Sequence, residues 1–203
     1  MSQLLTTPIT QHEFSRAVAA QRPIRNQSFQ NTVFNKGNYK GMKFTNCDFS
    51  GVDFQAVAFQ DCSFMGCDMR GSHMDGCSII NTTFAHCMLE RQHIEHVHLW
   101  NIQYNACTFT DSKFGPTSGD MIDFTQCYSI IDAGQDIRGY RFFAVRNTET
   151  GYMVKAGCRW YDPGTAFRHW IIGETSRHIS DIAASVKHKI MLIRGEATAR
   201  GWT

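Results

Sequence analysis

The chain is poor in several things at once. Among its 203 residues there are only 4 prolines and 5 leucines. No apolar run nears the ~18 residues of a bilayer span, so no transmembrane segment is expected. Neither sign of charge dominates: 20 Lys+Arg stand against 18 Asp+Glu, for a net charge of +2 with histidine neutral. That balance excludes a polybasic nucleic-acid arm and a strongly acidic tail. There is no CxxC pair, phosphate loop, GxSxG or HExxH, so the local signatures of zinc ribbons, nucleotide-binding loops, serine hydrolases and zinc proteases are missing. The opening MSQLLTTPITQHEF lacks the charged start and apolar stretch of a signal peptide, so a cytoplasmic location is expected.

Two residue types are in excess. The chain holds 15 Phe and 8 Cys. Hydrophobic residues make up 42%, enough to bury a core. Both excesses follow from one pattern. Stepping by five from Phe29 meets Phe34, Tyr39, Phe44, Phe49, Phe54, Phe59, Phe64, Met69, Met74, Ile79, Phe84, Leu89, Ile94, Leu99, Tyr104, Phe109 and Phe114 without a miss. The next step, Gly119, fails within Gly115-Pro116-Thr117-Ser118-Gly119, and Phe124 is in phase again. Two residues before each centre the side chain is mostly small or β-branched, and Cys47, Cys62, Cys67, Cys77, Cys87 and Cys107 sit there, with Cys127 in the same phase. Alternation of this kind means both positions face inward on a short extended stretch. Two residues after the centre, Gly41, Asn46, Gly51, Gly66, Gly71, Gly76, Asn81 and Asn101 permit a tight turn.

A five-residue period fits neither a helix nor a continuous strand. Four short sides close a square coil of about 20 residues, and such coils stack at ~4.8 Å. The spacing therefore predicts a column of roughly 22 Å from residues 27 to 116. Its thiols are expected to be filling rather than a metal cluster or disulfides.

Repeats such as Cys47-Asp48-Phe49-Ser50-Gly51, Val52-Asp53-Phe54-Gln55-Ala56 and Cys67-Asp68-Met69-Arg70-Gly71 resemble the A(D/N)LXX unit of pentapeptide repeat proteins. The resemblance covers residues 27–116 and extends toward 128. It implies a mainly β fold with a right-handed quadrilateral β-helix over 27–128. Thr10-Gln11-His12-Glu13 reads as a capping box that opens a short helix in an N-terminal cap over 1–26, and residues 129–203 read as a small C-terminal α+β module. The resemblance also implies a non-enzymatic protein-binding scaffold, without cofactor or resident metal, that forms a homodimer through its C-terminal part. Qnr- and MfpA-type members of that family resemble a DNA duplex and bind DNA gyrase, so a topoisomerase or another nucleic-acid enzyme is the implied partner. Direct binding of nucleic acid or membrane is not expected.

Charge argues against mimicry of DNA by the whole column. Residues 27–116 hold eight acids and six bases, net −2, whereas a ~22 Å duplex carries about 13 phosphates. A local strip of Asp48, Asp53, Asp61, Asp68 and Asp75 remains a candidate binding surface. A second candidate is the string RGYRFFAV…YMVKAGCRWYDPGTAFRHW, which resembles an appendage of phage and prophage pentapeptide repeat proteins. Its Arg141, Arg159, Trp160 and Arg168 are the residue types that anchor interfaces. The module is expected to pair Tyr140–Val145 with Tyr152–Trp160 as a hairpin, then to form a short helix from Pro163 and a longer one from Ser180 to Ala199.

Two further groups bear chemistry. His73, His86, His93, His96 and His98 face outward and are read as a solvated face, because no carboxylate is expected beside them to complete a tetrahedral metal site. Cys158 and His169 are an imaginable nucleophile pair, read here as a buried strand thiol and an unrelated imidazole. An enzyme built on that pair, or a virion component, are the remaining alternatives.

Overall fold

In the computed structural model the described residues are 7–156, 159–172 and 180–202. They form two compact units that adjoin in sequence at Tyr128 and Ser129.

The first unit is a four-sided β-helix. Residues 20 apart pair in parallel, as in Phe34↔Phe54, Phe54↔Met74, Met74↔Ile94 and Ile94↔Phe114. The fourth side carries the longest stack. Ring centroids are 4.8 Å apart for Phe44–Phe64, 4.9 Å for Phe64–Phe84, 5.0 Å for Phe84–Tyr104 and 5.5 Å for Tyr104–Phe124. Rings on neighbouring sides meet edge to face, as in Phe59–Phe64 at 5.2 Å and 85°. The shaft is thus filled by offset stacks along the axis and T-shaped contacts across it, the two arrangements that the aromatic quadrupole favours.

The corners explain the period. From Asn26 to Asp111 every fifth residue has a positive φ, between +49° and +66°. Thirteen of these eighteen corners are not glycine, although the left-handed region costs an L-residue about 1–2 kcal/mol. Most corner amides also donate along the axis, as Gly51 N does to Arg70 O at 2.9 Å and Ala56 N to Asp75 O at 2.9 Å. Pro116 cannot take the left-handed corner, since its ring holds φ near −65°. There the chain runs on as a strand, Thr117–Asp123, beside the long strand Val97–Asn105. Gly119 lies so close to the Leu99 carbonyl that no Cβ fits, which is why the one missing large residue of the run is a glycine.

The β-helix also reaches further toward the N-terminus than residue 27. Ile24 is a buried centre paired with Phe44, and Thr7–Pro8 pairs with Gln27–Ser28. Between these segments lies helix α1, Gln11–Ala19, opened by a capping box in which Thr10 and Glu13 bond reciprocally. Its Phe14 closes the shaft, with ring centroids 5.3 Å from Phe29 and 5.5 Å from Phe34.

The second unit is a four-stranded antiparallel sheet in chain order: Ile130–Gln135, Arg141–Asn147, Gly151–Ala156 and Arg159–Tyr161. Helix α2, Pro163–Phe167, leads into a π turn, Arg168–Ile172, and helix α3 covers Ser180–Ala199. Val186, Ile190, Ile193 and Ala197 of α3 join Ile131, Phe142, Val154 and Trp202 in one core. The hairpin through Asn147–Gly151 is present, but the stretch Tyr152–Trp160 serves two strands instead of one, paired through Ala156↔Arg159. No described helix is long and apolar enough to cross a membrane.

Two substitutions separate ring packing from corner geometry. Phe64→Ala opens a hole between Phe44 and Phe84 and is expected to cost about 3–5 kcal/mol. Gly71→Ala places its Cβ in open space at φ +65° and is expected to cost only the conformational strain of about 1–2 kcal/mol. Denaturant melts measure both.

Candidate functional site: the outward ladders of the column

The residues immediately before and after each centre lie on the outward side of the column's backbone. On the second side these form two ladders. One runs Val33, Asp53, His73, His93, Lys113, and the other Asn35, Gln55, Asp75, Glu95. The intervening centres, Phe34 to Phe114, are buried.

The five aspartates do not form one strip. Asp48 and Asp68 share a ladder on the first side. Asp53 and Asp75 stand on the second side, and Asp61 is a corner residue at φ +54°. Asp68 is buried and closed by Arg70, whose Nη2 donates at 2.5 Å and whose Nε donates at 2.9 Å. Asp48 accepts from Ser50 N and Oγ at 2.9 and 2.6 Å, so it braces its own turn. Asp61 accepts from Asn81 Nδ2 at 3.0 Å and lies 3.9 Å from Lys40 Nζ. A row of free phosphate-like charges is not what these residues build.

The expectation that no carboxylate lies beside the histidines is not met. His73 and His93 are registered on adjacent coils, their rings 5.2 Å apart. Carboxylates do lie beside them. Glu95 Oε1 is 3.2 Å from His73 Nε2, and Glu95 Oε2 is 3.5 Å from His93 Nε2. Asp53 Oδ1 is 3.4 Å from the other ring nitrogen of His73, and Asp75 Oδ1 is 2.9 Å from His96 Nδ1. The signal was present in His93-Ile94-Glu95, whose alternation puts both polar residues on one face. It lies off the 20-residue register, since Glu95 meets His73 at a separation of 22. His98 lies on the next side, 3.1 Å from Ser118 Oγ, and His86 is a corner.

The thiols are inside. Seven of them are buried and free of disulfides. Each donates to the carbonyl of a centre residue on the coil below, as Cys77 does to Phe54 O and Cys127 to Tyr104 O, both at 3.2 Å. Ser112 and Thr82 make the same bond from the same position. Burial pushes the Cys62 and Cys77 thiols up, away from the thiolate form. Cys158 lies outside the described residues. A cleft of about 310 Å³ opens between α1 and the first coil, and its lining carries no acid, base or thiol.

In the second unit, Arg141 is ion-paired with Asp132 on the neighbouring strand. Arg159 and Trp160 lie on the sheet's last strand, and Arg159 Nη1 donates to Tyr161 Oη at 3.3 Å. Arg168 follows α2, bonded to Thr165 Oγ1 at 3.3 Å. His169 stacks on Tyr161 with centroids 5.5 Å apart.

Residues 38–124 match the family model described as a pentapeptide repeat region. Over those residues the column carries a pentapeptide repeat region. Among solved structures, the chain is similar to a pentapeptide repeat protein of the Arabidopsis thaliana thylakoid lumen, at 14% identity over 47% of this chain and 63% of that one, TM-score 0.38. The match thus spans less than two-thirds of that relative. It is also similar to the pentapeptide repeat protein Rfr23 of the cyanobacterium Cyanothece 51142, at 10% identity over 57% of this chain and 97% of that one, TM-score 0.44. A third is full-length QnrB1, a plasmid-mediated fluoroquinolone resistance protein, at 15% identity over 59% of this chain and 81% of that one, TM-score 0.26. No curated relative matches the chain.

In the native repeat the seven described thiols are expected to resist a thiol reagent and to react together on unfolding. Absorbance of the released chromophore, with and without denaturant, counts them; rapid native labelling of more than Cys158 contradicts the inward placement.

Proposed function

We propose that this chain is a non-catalytic scaffold that docks a protein partner, of which a host or phage nucleic-acid-processing enzyme is the finer reading. The observation that carries it is the division of labour in the column. Nucleophilic and aromatic side chains fill the shaft, while the outside offers flat polar ladders at fixed spacing. A surface of that kind positions contacts without reorganising, which lowers the entropic cost of association.

In this reading Asp53, Asp75 and Asp61 supply outward-facing contacts of the column, with Asp48 and Asp68 holding turns. Arg141, Arg159, Trp160 and Arg168 are the anchors of the second unit, and a homodimer is the assembly state. The proposal does not depend on phosphate mimicry. Gyrase-directed mimicry is the narrower alternative, and it draws on the resemblance alone.

Two measurements separate these. Immobilised full-length protein is expected to capture a discrete partner from bacterial lysate, and Arg159→Glu with Arg168→Glu to weaken that capture at least tenfold. Capture equal to a blank support overturns the scaffold reading, and capture indifferent to the charge reversals moves the contact off the second unit. Supercoiling by purified gyrase tests the narrower reading: activity unchanged at micromolar protein removes it.

A further inference from the structure

We propose that the second side of the column holds a divalent transition-metal ion of the zinc class, bound by His73 Nε2, His93 Nε2 and Glu95. Three observations lead there. The first is the donor set. Two imidazoles and one carboxylate, all with ligand atoms within 4.8 Å of one another, are a recurrent three-residue zinc set that leaves a fourth position to water. The second is spacing. Donor atoms on a tetrahedron with bonds of about 2.0–2.1 Å are about 3.3–3.4 Å apart. The nitrogen-to-oxygen distances here are 3.2 Å from His73 Nε2 to Glu95 Oε1 and 3.5 Å from His93 Nε2 to Glu95 Oε2, so side-chain rotations that turn one carboxylate oxygen toward both nitrogens close the site.

The third observation is Asp53. Its Oδ1 is shielded from solvent and has no hydrogen-bond partner, while it faces His73 Nδ1 at 3.4 Å. Its Oδ2 is held by Gln55 Nε2 at 2.6 Å. A carboxylate behind a ligating imidazole fixes the tautomer and turns the other nitrogen toward the metal. Once Nε2 is metal-bound, Nδ1 carries the proton, and the orphaned oxygen has its donor. Charge points the same way. Among the described ion pairs, Asp53, Asp75 and Glu95 pair only with imidazoles, and Asp75 and Glu95 are registered on adjacent coils. With histidine counted as neutral, three negative charges gather where a dication offsets them; Lys113, next to His93 in the ladder, sits at the margin of the group.

The ligands come from two neighbouring rungs, His73–Asp75 and His93–Glu95, whose backbones are bonded to each other. The site is therefore preformed by the same register that builds the column. His96 and Asp75, which share Glu95 as a neighbour, lie on its corner side.

The test is titration of untagged, fully reduced protein with Co²⁺, then Zn²⁺ in competition with a chromophoric chelator. The expected result is one ion per chain, with the intense visible bands of four-coordinate Co²⁺ that Zn²⁺ abolishes. Glu95→Gln, His73→Ala and His93→Ala are expected to remove the bands, and Asp53→Asn to weaken affinity about 10–100-fold while keeping them. His98→Ala, on another side, is expected to change nothing. All four substituted side chains of the site face outward, and circular dichroism checks that each variant retains its fold. Absence of saturable binding at micromolar metal overturns the proposal. So does binding that survives His73→Ala and His93→Ala, or cobalt spectra dominated by thiolate charge transfer.

Discussion

Most corner amides of the column point along the axis toward a carbonyl of the next coil, and that bond depends on the left-handed turn that precedes the following side. Thirteen of the corners between Asn26 and Asp111 lack glycine, so the chain accepts strain of about 1–2 kcal/mol at each. The compensation is regular: a ladder hydrogen bond and a buried centre for every five residues. A solenoid of this kind gains its stability by nearest-neighbour stacking rather than through any single contact. Pro116 shows the dependence by exception. At position 116 the left-handed corner is missing, the chain enters the strand Thr117–Asp123 directly, and the large centre gives way to Gly119.

The same register decides where chemistry can lie. The seven described cysteines, Thr82 and Ser112, all two residues before a centre, sit inside and spend their hydrogen on a carbonyl of the coil below. Side chains next to a centre are carried outward at intervals set by the backbone. Thiols are thereby withdrawn from reactivity, while imidazoles and carboxylates are displayed in ranks. Reactivity in this fold is a question of which phase of the pentad a residue occupies, not of how many reactive residues the chain contains.

Much of this was legible in the residues. The unbroken step of five gave the stacks, the inward cysteines and the corner glycines and asparagines, and Thr10–Glu13 announced the helix that Phe14 anchors. The legible part ends where the pattern is set by three dimensions instead of by period. Ile24 is in phase but has Arg22 where the pattern wants a small residue two before the centre, and its pairing with Phe44 becomes evident only once the coil is closed. Ile130–Gln135 lacks the alternation of a half-buried strand, because Ile130 and Ile131 are both buried. Asp68 looks like a surface charge in the sequence, yet it closes on Arg70 two residues on.

The acidic strip and the histidine group illustrate a common cause for those two misplacements. Matching residues 20 apart finds what stacks along one ladder, but contacts on the outer face are also diagonal. Long side chains reach from one ladder to the next, so Glu95 meets His73 at a separation of 22 and Asp75 meets His96 at 21. On a flat sheet such diagonal neighbours are within reach of each other. The functional alphabet of a pentapeptide column is therefore two-dimensional: a charge is neutralised, or an ion held, by residues offset by one rung and one or two positions. Sequence comparison along the five-residue phase alone passes over those pairings, and the outer surface has to be read as a lattice before its partners can be argued.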